Sequence, residues 1–160
     1  MPFIIDGTNL LCSIEELHGQ HEPRSEVQLC HVLARYFARL RDLGEVVFDG
    51  AGPPDKSAFD GLGDVEVIFS GFNSDADTVI EEKIEANTAS RRLTVVSSDR
   101  RLRKAAAARK ATALKSELFW EQVQTELRRA KPAPVEPEEK REGLTEGETE
   151  KWLDLFGLDE

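Results

Sequence analysis

Aspartate residues follow several apolar stretches of this 160-residue chain. Asp6 ends Phe3-Ile4-Ile5, Asp49 ends Val46-Val47-Phe48, and Asp99 comes shortly after the stretch at 93–97. A fourth stretch at 65–69 precedes the acidic turn that holds Asp75 and Asp77. Carboxylates that gather in one place repel each other and need a cation, most naturally Mg²⁺ or Mn²⁺. The pattern therefore points toward a metal-dependent enzyme acting on phosphate esters.

Strands must alternate with helices to bring these acids together. The hydrophobic pattern predicts strands at 2–6, 45–49, 65–69, 93–97 and 111–114. It predicts helices that start after Ser25 and that cover roughly 75–88, 99–109 and 116–129. This alternation favours an α/β fold with a central, mainly parallel sheet flanked by helices. Open sheets of this kind bind their ligands at the carboxyl ends of the strands, where the aspartates lie.

The sequence also predicts two loops and the residues at which two helices begin or end. A long polar loop is expected from Gly7 to about Arg24, and a second loop at 51–63. Ser25 with Gln28 forms a capping-box pattern. Gly44 is expected to end the helix that follows Ser25, and Ser74 to cap the helix at 75–88.

Charge divides the chain into regions. The net charge is −10, of which residues 129–160 contribute −5, from 5 basic and 10 acidic residues. We predict a folded domain at 1–130, an acidic Pro/Glu-rich linker at 131–147 and an amphipathic segment at 148–160. The apolar runs are too short to cross a membrane, and the two cysteines indicate no disulfide framework. A cytoplasmic location is expected.

Basic residues concentrate around Asp99. Residues 91–115 hold 9 Lys or Arg and one acid, a local charge of +8 within an acidic protein. Such a segment suits a polyanion such as RNA, although an ordinary solvated helix face remains an alternative. The candidate phosphate contacts are Arg100, Arg101, Arg103 and Lys104.

The acids have alternative interpretations. Asp6 with Asn9 could reach one metal and its waters, or could close the strand with an Asx turn. Asp75 and Asp77 could also cap a helix, as Asp99 could. Asp77 and Glu81 are four residues apart, so both can face the sheet edge. Zinc binding by the cysteines and histidines at 12–31 is disfavoured, because their spacing matches no common zinc pattern.

In order along the chain, several motifs resemble the YacP-like family of NYN-domain (PIN-like) ribonucleases. The resemblance rests on Ile4-Ile5-Asp6-Gly7-Thr8-Asn9-Leu10, Val47-Phe48-Asp49-Gly50, Ala76-Asp77-Thr78-Val79-Ile80-Glu81, Val96-Ser97-Ser98-Asp99, Ser116-Glu117-Leu118 and Trp152-Leu153-Asp154-Leu155-Phe156. Thr8 stands where the family usually has tyrosine, and Asp75 where it often has threonine.

The resemblance implies a PIN-like three-layer fold and a Mg²⁺- or Mn²⁺-dependent endoribonuclease. Asp6, Asp77 and Asp99 would form the catalytic and metal-binding core. Assisting roles would fall to Asn9, Asp49, Asp75, Glu81 and Ser98. The resemblance also allows a ribosome-associated substrate. The alternative is a catalytically silent RNA- or ribosome-binding module on the same fold.

Overall fold

The computed structural model describes residues 2–17, 23 and 25–129. The predicted linker at 131–147 and the predicted segment at 148–160 lie outside the described residues. Five strands form one sheet: β1 Phe3–Asp6, β2 Gly44–Phe48, β3 Val65–Phe69, β4 Thr94–Val96 and β5 Thr112–Leu114. Five helices accompany them: α1 Gly7–Glu16, α2 Glu26–Leu40, α3 Ala76–Ala86, α4 Arg100–Ala108 and α5 Ser116–Arg128. No helix among the described residues is long and apolar enough to span a bilayer.

The sheet is parallel throughout, in the order β3-β2-β1-β4-β5. β1 is therefore central, and the chain reverses its direction of travel across the sheet between β3 and β4. Such a reversal leaves a crevice beside β1 at the carboxyl ends of the strands. This confirms the predicted α/β class with a central parallel sheet.

Helices cover both faces of the sheet. Ile4 and Val95 pack with Ile80 and Leu102, in the core under α3 and α4. On the opposite face, the ring of Phe3 lies 5.1 Å from Phe37 of α2 and 5.9 Å from Phe119 of α5, centroid to centroid. The alternation of Phe3 and Ile4 between two covered faces confirms the three layers.

The predicted loop at 7–24 is wrong over its first part, because Gly7–Glu16 forms α1. Asp6 caps this helix by accepting a hydrogen bond from the Asn9 backbone N–H at 3.2 Å. Leu10 and Ile14, four residues apart, bury its inner face. The Gly-Thr-Asn opening favours a turn by composition, and burial of these two residues outweighs it.

Two predicted helix boundaries also need correction. Ser74 does not cap α3; Asp75 does, through a hydrogen bond from the Thr78 N–H at 2.7 Å. Gly44 does not end α2 and instead begins β2, since Arg41 adopts the left-handed conformation that ends the helix, with φ 57°. The predicted cap at Ser25 is confirmed.

Candidate active site

Asp6 lies at the centre of the sheet's carboxyl edge and is only 4% exposed. Its second oxygen, Oδ2, accepts a hydrogen bond from the Ser97 hydroxyl at 3.1 Å. Burial raises the pKa of Asp6 to about 6, and the charges of Asp77 and Asp49 add to the shift against these hydrogen bonds. A buried carboxylate that remains mostly ionised at neutral pH is suited to a cation.

Asp77 lies in the first turn of α3 and is half-buried. Within the described part of the chain its carboxylate accepts no hydrogen bond. Burial raises its pKa, and the charges of Asp99, Asp75 and Asp49 raise it further while Arg101 opposes them. Asp77 is therefore the acid whose oxygens are most free to bind a ligand.

Asp99 caps α4, accepting a hydrogen bond from the Arg101 N–H at 2.8 Å. Its own backbone N–H donates to the Ser97 hydroxyl at 3.0 Å. Ser97 thus connects Asp6 with Asp99 across the gap between β1 and β4. One oxygen of Asp99 serves the cap, and the other is not bonded within the described residues.

Asp49 holds neighbouring elements together. Its Oδ1 accepts a hydrogen bond from the Ala76 N–H at 2.6 Å, and its N–H donates to the Thr8 hydroxyl at 3.0 Å. These bonds tie the end of β2 to the starts of α1 and α3. Thr8, the departure from the family's tyrosine, therefore has a structural partner here.

Asp75 and Glu81 both have protein partners. The hydrogen bonds from Thr78 lower the pKa of Asp75, which acts as the cap of α3. Glu81 forms an ion pair with Arg101, whose Nε lies 2.9 Å from Oε1. Both acids line the same edge of the sheet, but these contacts hold them as structural groups.

Asn9 and Ser98 belong to a polar network beside the acids. Asn9 Oδ1 accepts hydrogen bonds from the Ser98 N–H at 2.9 Å and the Ser116 hydroxyl at 2.6 Å. The Ser98 hydroxyl donates to Glu117 at 3.0 Å and accepts from the Ser116 N–H at 3.1 Å. Both oxygen lone pairs of the Asn9 amide are thus engaged with protein, so Asn9 fixes the loops after β4 and β5.

Glu117 is a member of this network that the sequence reasoning missed. Burial opposes its ionisation most, yet hydrogen bonds from its own backbone N–H, from Ser98 and from Ser13 together lower the pKa of Glu117. It follows β5 as Asp99 follows β4. The rule of an acid behind a strand end, applied to the predicted strand at 111–114, would have found Glu117 as a candidate site residue.

The candidate RNA-binding residues differ in their exposure. Arg100 and Lys104 are exposed on α4. Arg101 is exposed but paired with Glu81. Arg103 is half-buried, and its Nη1 has no hydrogen-bond partner in the described part of the chain. Arg100 and Lys104 are therefore the two basic side chains of this set that are most accessible beside the acids.

Within residues 2–17, 23 and 25–129, no three His, Cys, Asp or Glu side chains converge tightly enough to hold one metal ion. Burial and the charges of neighbouring aspartates nevertheless raise the pKa of Asp6 and of Asp77, so these acids lie near one another. Mg²⁺ usually takes one or two carboxylates and completes its shell with water and substrate phosphate, so three protein ligands are not required. The carboxylate oxygens of the site fit such an ion by their chemistry.

The cysteines and histidines at 12–31 form no metal site among the described residues. Cys30 is buried in α2, Cys12 is exposed on α1, and neither forms a disulfide. Burial, assisted by the charge of Glu26, raises the pKa of Cys30 to about 12 and keeps it a neutral thiol. His18 and His21 lie outside the described residues.

Comparison with known proteins agrees with the observed fold. A family model described as YacP-like NYN domain matches residues 3–155. The crystal structure of Rae1 (YacP) from Bacillus subtilis, in a tryptophan-to-leucine mutant, superimposes with a TM-score of 0.61 at 25% identity, covering 80% of this chain and 77% of that one. A second structure of Rae1 (YacP) gives 0.61 at 24% identity, with coverages of 81% and 76%. No curated protein matches the chain.

Proposed function

Because the chain belongs to the YacP-like NYN domain family, we propose that it is a divalent-metal-dependent endoribonuclease that hydrolyses RNA phosphodiesters. Family membership and the matching structures support a nuclease-type, RNA-related function. The observation that carries the finer proposal is the group of aspartates at the carboxyl edge of the sheet, next to the exposed basic residues of α4.

Asp6, Asp77 and Asp99 would hold Mg²⁺ or Mn²⁺ directly or through water. Asp77 has both carboxylate oxygens free within the described residues, and Asp99 has one. Asp6 is held in place by Asn9 and Ser97. A cation beside these groups would offset the burial of charge and the repulsion that together raise the pKa values of Asp6 and Asp77.

A bound divalent ion supplies an activated water and neutralises charge that develops on the phosphate. The chain's own groups do the positioning. Asp6 is ionised at neutral pH, and its two hydrogen bonds fix the direction of its oxygens. Asp49 holds the start of α3, which sets the place of Asp77. Ser97 holds Asp6 and Asp99 in a fixed relation.

The phosphates of RNA would approach from the side of α4. Arg100 and Lys104 can neutralise the backbone there. Arg101 contributes through its ion pair with Glu81, which keeps a positive charge near the acids. A ribosome-associated messenger RNA as the substrate, and a cytoplasmic location, belong to the same proposal.

A cleavage assay tests the proposal. Purified full-length protein is incubated with Mn²⁺ and labelled RNA, both free and on ribosomes. Asp77→Asn is the most informative variant, because it removes the charge of the carboxylate without breaking a hydrogen bond among the described residues. Asp60→Asn is the matched control, since Asp60 is exposed in the loop before β3.

Wild type and Asp60→Asn should cut RNA, whereas Asp77→Asn should be at least about a hundredfold slower. Absence of cleavage by wild type on both substrates would contradict the proposal.

The alternative function is a catalytically silent RNA- or ribosome-binding module. It needs only a surface that binds RNA, which the exposed Arg100 and Lys104 of α4 offer. The same assay separates the two functions, because a silent module would bind RNA without cutting it. The loss of binding would then follow substitution of Arg100 and not of Asp77.

A further inference from the structure

Phe72 is the most exposed large hydrophobic residue of the described chain, at 92%. The others of this kind, Leu17, Leu43 and Leu118, are 50–62% exposed and keep part of their surface covered. Phe72 lies in the loop that joins β3 to α3. Its ring therefore gains almost nothing from the fold, and a ligand is the natural partner for its faces.

The loop that presents Phe72 is held at its base. The Gly71 N–H donates to the Gly50 carbonyl at 2.9 Å, and the Gly50 N–H donates to the Ser70 hydroxyl at 3.0 Å. That hydroxyl donates in turn to the Ser74 carbonyl at 3.3 Å. Gly71 adopts φ 84°, which turns the chain outward. A ring on a loop fixed at both ends costs less to order on binding than a ring on a free loop.

The same loop borders the acidic site. It runs from the end of β3 to Asp75 and Asp77 at the start of α3, and Asp49 binds the Ala76 N–H beside it. In the strand order, Phe72 follows β3 and Arg100 follows β4, with β2 and β1 between them. Three strand spacings amount to about 14 Å, so a few nucleotides could reach from one flank to the other past Asp6.

The two flanks differ in charge. Residues 70–82 contain four acids and no Lys or Arg, so this segment supplies no cation of its own for phosphate. The flank at α4 carries the exposed Arg100 and Lys104. At Phe72 itself, an RNA strand that lies across the site meets an aromatic ring and no basic neighbour in the loop, and the π-face of a base suits that ring.

From these observations we infer that Phe72 stacks on an unpaired base of the RNA next to the phosphodiester that is cleaved. The inference rests on the proposed function and names the substrate class of its site as single-stranded RNA. Stacking on a phenyl ring accepts any base, so Phe72 sets the position of the strand and not its sequence. A protein partner fits less well, because the chain neighbours Gly71, Asn73 and Ser74 add no apolar side chain to the ring of Phe72.

Binding of a labelled, unstructured oligoribonucleotide of about twelve nucleotides tests the inference, by fluorescence anisotropy with the full chain and Ca²⁺ in place of Mn²⁺. Phe72→Ala should weaken binding about 5- to 150-fold. Phe72→Trp should retain it, while Phe72→Leu, apolar but unable to stack, should lose most of it. Leu43→Ala is the matched control, because Leu43 is an exposed apolar residue that precedes β2 at the opposite edge of the sheet.

Single abasic substitutions along the same RNA locate the stacked base. At one position, the abasic RNA should bind wild type as weakly as the intact RNA binds the Phe72→Ala variant. The Phe72→Ala variant should bind that abasic RNA and the intact RNA with the same affinity. The inference is overturned if Phe72→Leu binds like wild type, or if every abasic position costs both proteins equally. It is also overturned if Phe72→Ala leaves RNA binding intact and changes only the sedimentation of the protein, which would assign the ring to a protein interface.

Cleavage by the same variants in Mn²⁺ separates this inference from the proposed function. If wild type cuts RNA and the Phe72 variants bind like wild type, the inference alone fails. If wild type cuts no RNA at all, the proposed function fails, and the abasic series still decides whether Phe72 stacks.

Discussion

The buried, ionised carboxylate of Asp6 should lower the free energy of unfolding of the metal-free protein relative to a neutral side chain at the same position. Burial and the charges of Asp77 and Asp49 raise its pKa from 3.8 to about 6. The shift is about two units, and each unit corresponds to about 1.4 kcal/mol, so ionised Asp6 costs the folded state roughly 3 kcal/mol at pH 7 to 8. Asp6→Asn has the same shape as the protonated acid and removes this cost. It should therefore raise the free energy of unfolding by about 2 to 3 kcal/mol.

The sign of the pH dependence follows from the raised pKa. Between pH 3.8 and about 6 the folded state binds more protons than the unfolded state, so wild-type stability falls as pH rises through this window. The gain from Asp6→Asn should be about a fifth of its full value at pH 4, about half at pH 5 and nearly complete above pH 7.

Urea denaturation in EDTA measures this gain at a series of pH values. Asp60→Asn, a change of an exposed residue, should stay within about 0.5 kcal/mol of wild type throughout. The m-value should be unchanged, so that the shift in midpoint reports stability. A destabilised Asp6→Asn, or a gain that does not vary between pH 4 and 8, would refute the electrostatic account of Asp6.

Three further predictions follow from the site. Arg100→Ala should weaken RNA binding and should reduce by about 0.7 the slope of the logarithm of the binding constant against the logarithm of the salt concentration, as measured by anisotropy between low and moderate salt. The control is Arg92→Ala, which should leave the affinity and the slope unchanged because Arg92 precedes β4 at the opposite edge of the sheet. Glu117→Gln should lower the free energy of unfolding by about 1 to 3 kcal/mol in urea denaturation and should slow cleavage, because it weakens the acceptor of the Ser98 hydroxyl. Glu121→Gln, at an exposed position of the same helix, should change neither the stability nor the cleavage rate. The affinity for Mn²⁺, measured by calorimetry, should fall by up to about tenfold per pH unit below pH 6, because protons compete for Asp6; an affinity that is constant from pH 7 to 5 would contradict this.

Hydrophobic patterning was sufficient to predict the sheet. Each predicted strand appears within about two residues, since runs such as Val46-Val47-Phe48 are buried on both faces of a parallel sheet. The aspartates at the strand ends could be predicted for the same reason, because parallel strands end at one edge. Helix α1 could not, because Gly7 and Thr8 favour a turn and only Leu10 and Ile14 mark its buried face.

The hydrogen-bond and ion-pair partners of the acids could not be predicted from the sequence. Asp49 bonds to Ala76 across 27 positions of the chain, and Asn9 bonds to Ser116 across 107. Contacts at such separations depend on how the loops close, which local propensity does not specify. The pairing of Glu81 with Arg101 likewise joins two helices. The structure divides the predicted acids into those bonded within the protein, such as Asp49, Asp75 and Glu81, and Asp77, whose oxygens accept no hydrogen bond within the described residues.

Manganese binding tests the central claim most directly. The electron paramagnetic resonance signal of free Mn²⁺ is followed while full-length protein is titrated at pH 7.5. Wild type and Asp60→Asn should remove Mn²⁺ from the free pool, and Asp6→Asn and Asp77→Asn should each weaken this binding by about tenfold or more. If wild type binds no Mn²⁺, or if both site variants bind it as tightly as wild type, the aspartates at the carboxyl edge of the sheet do not form a metal site.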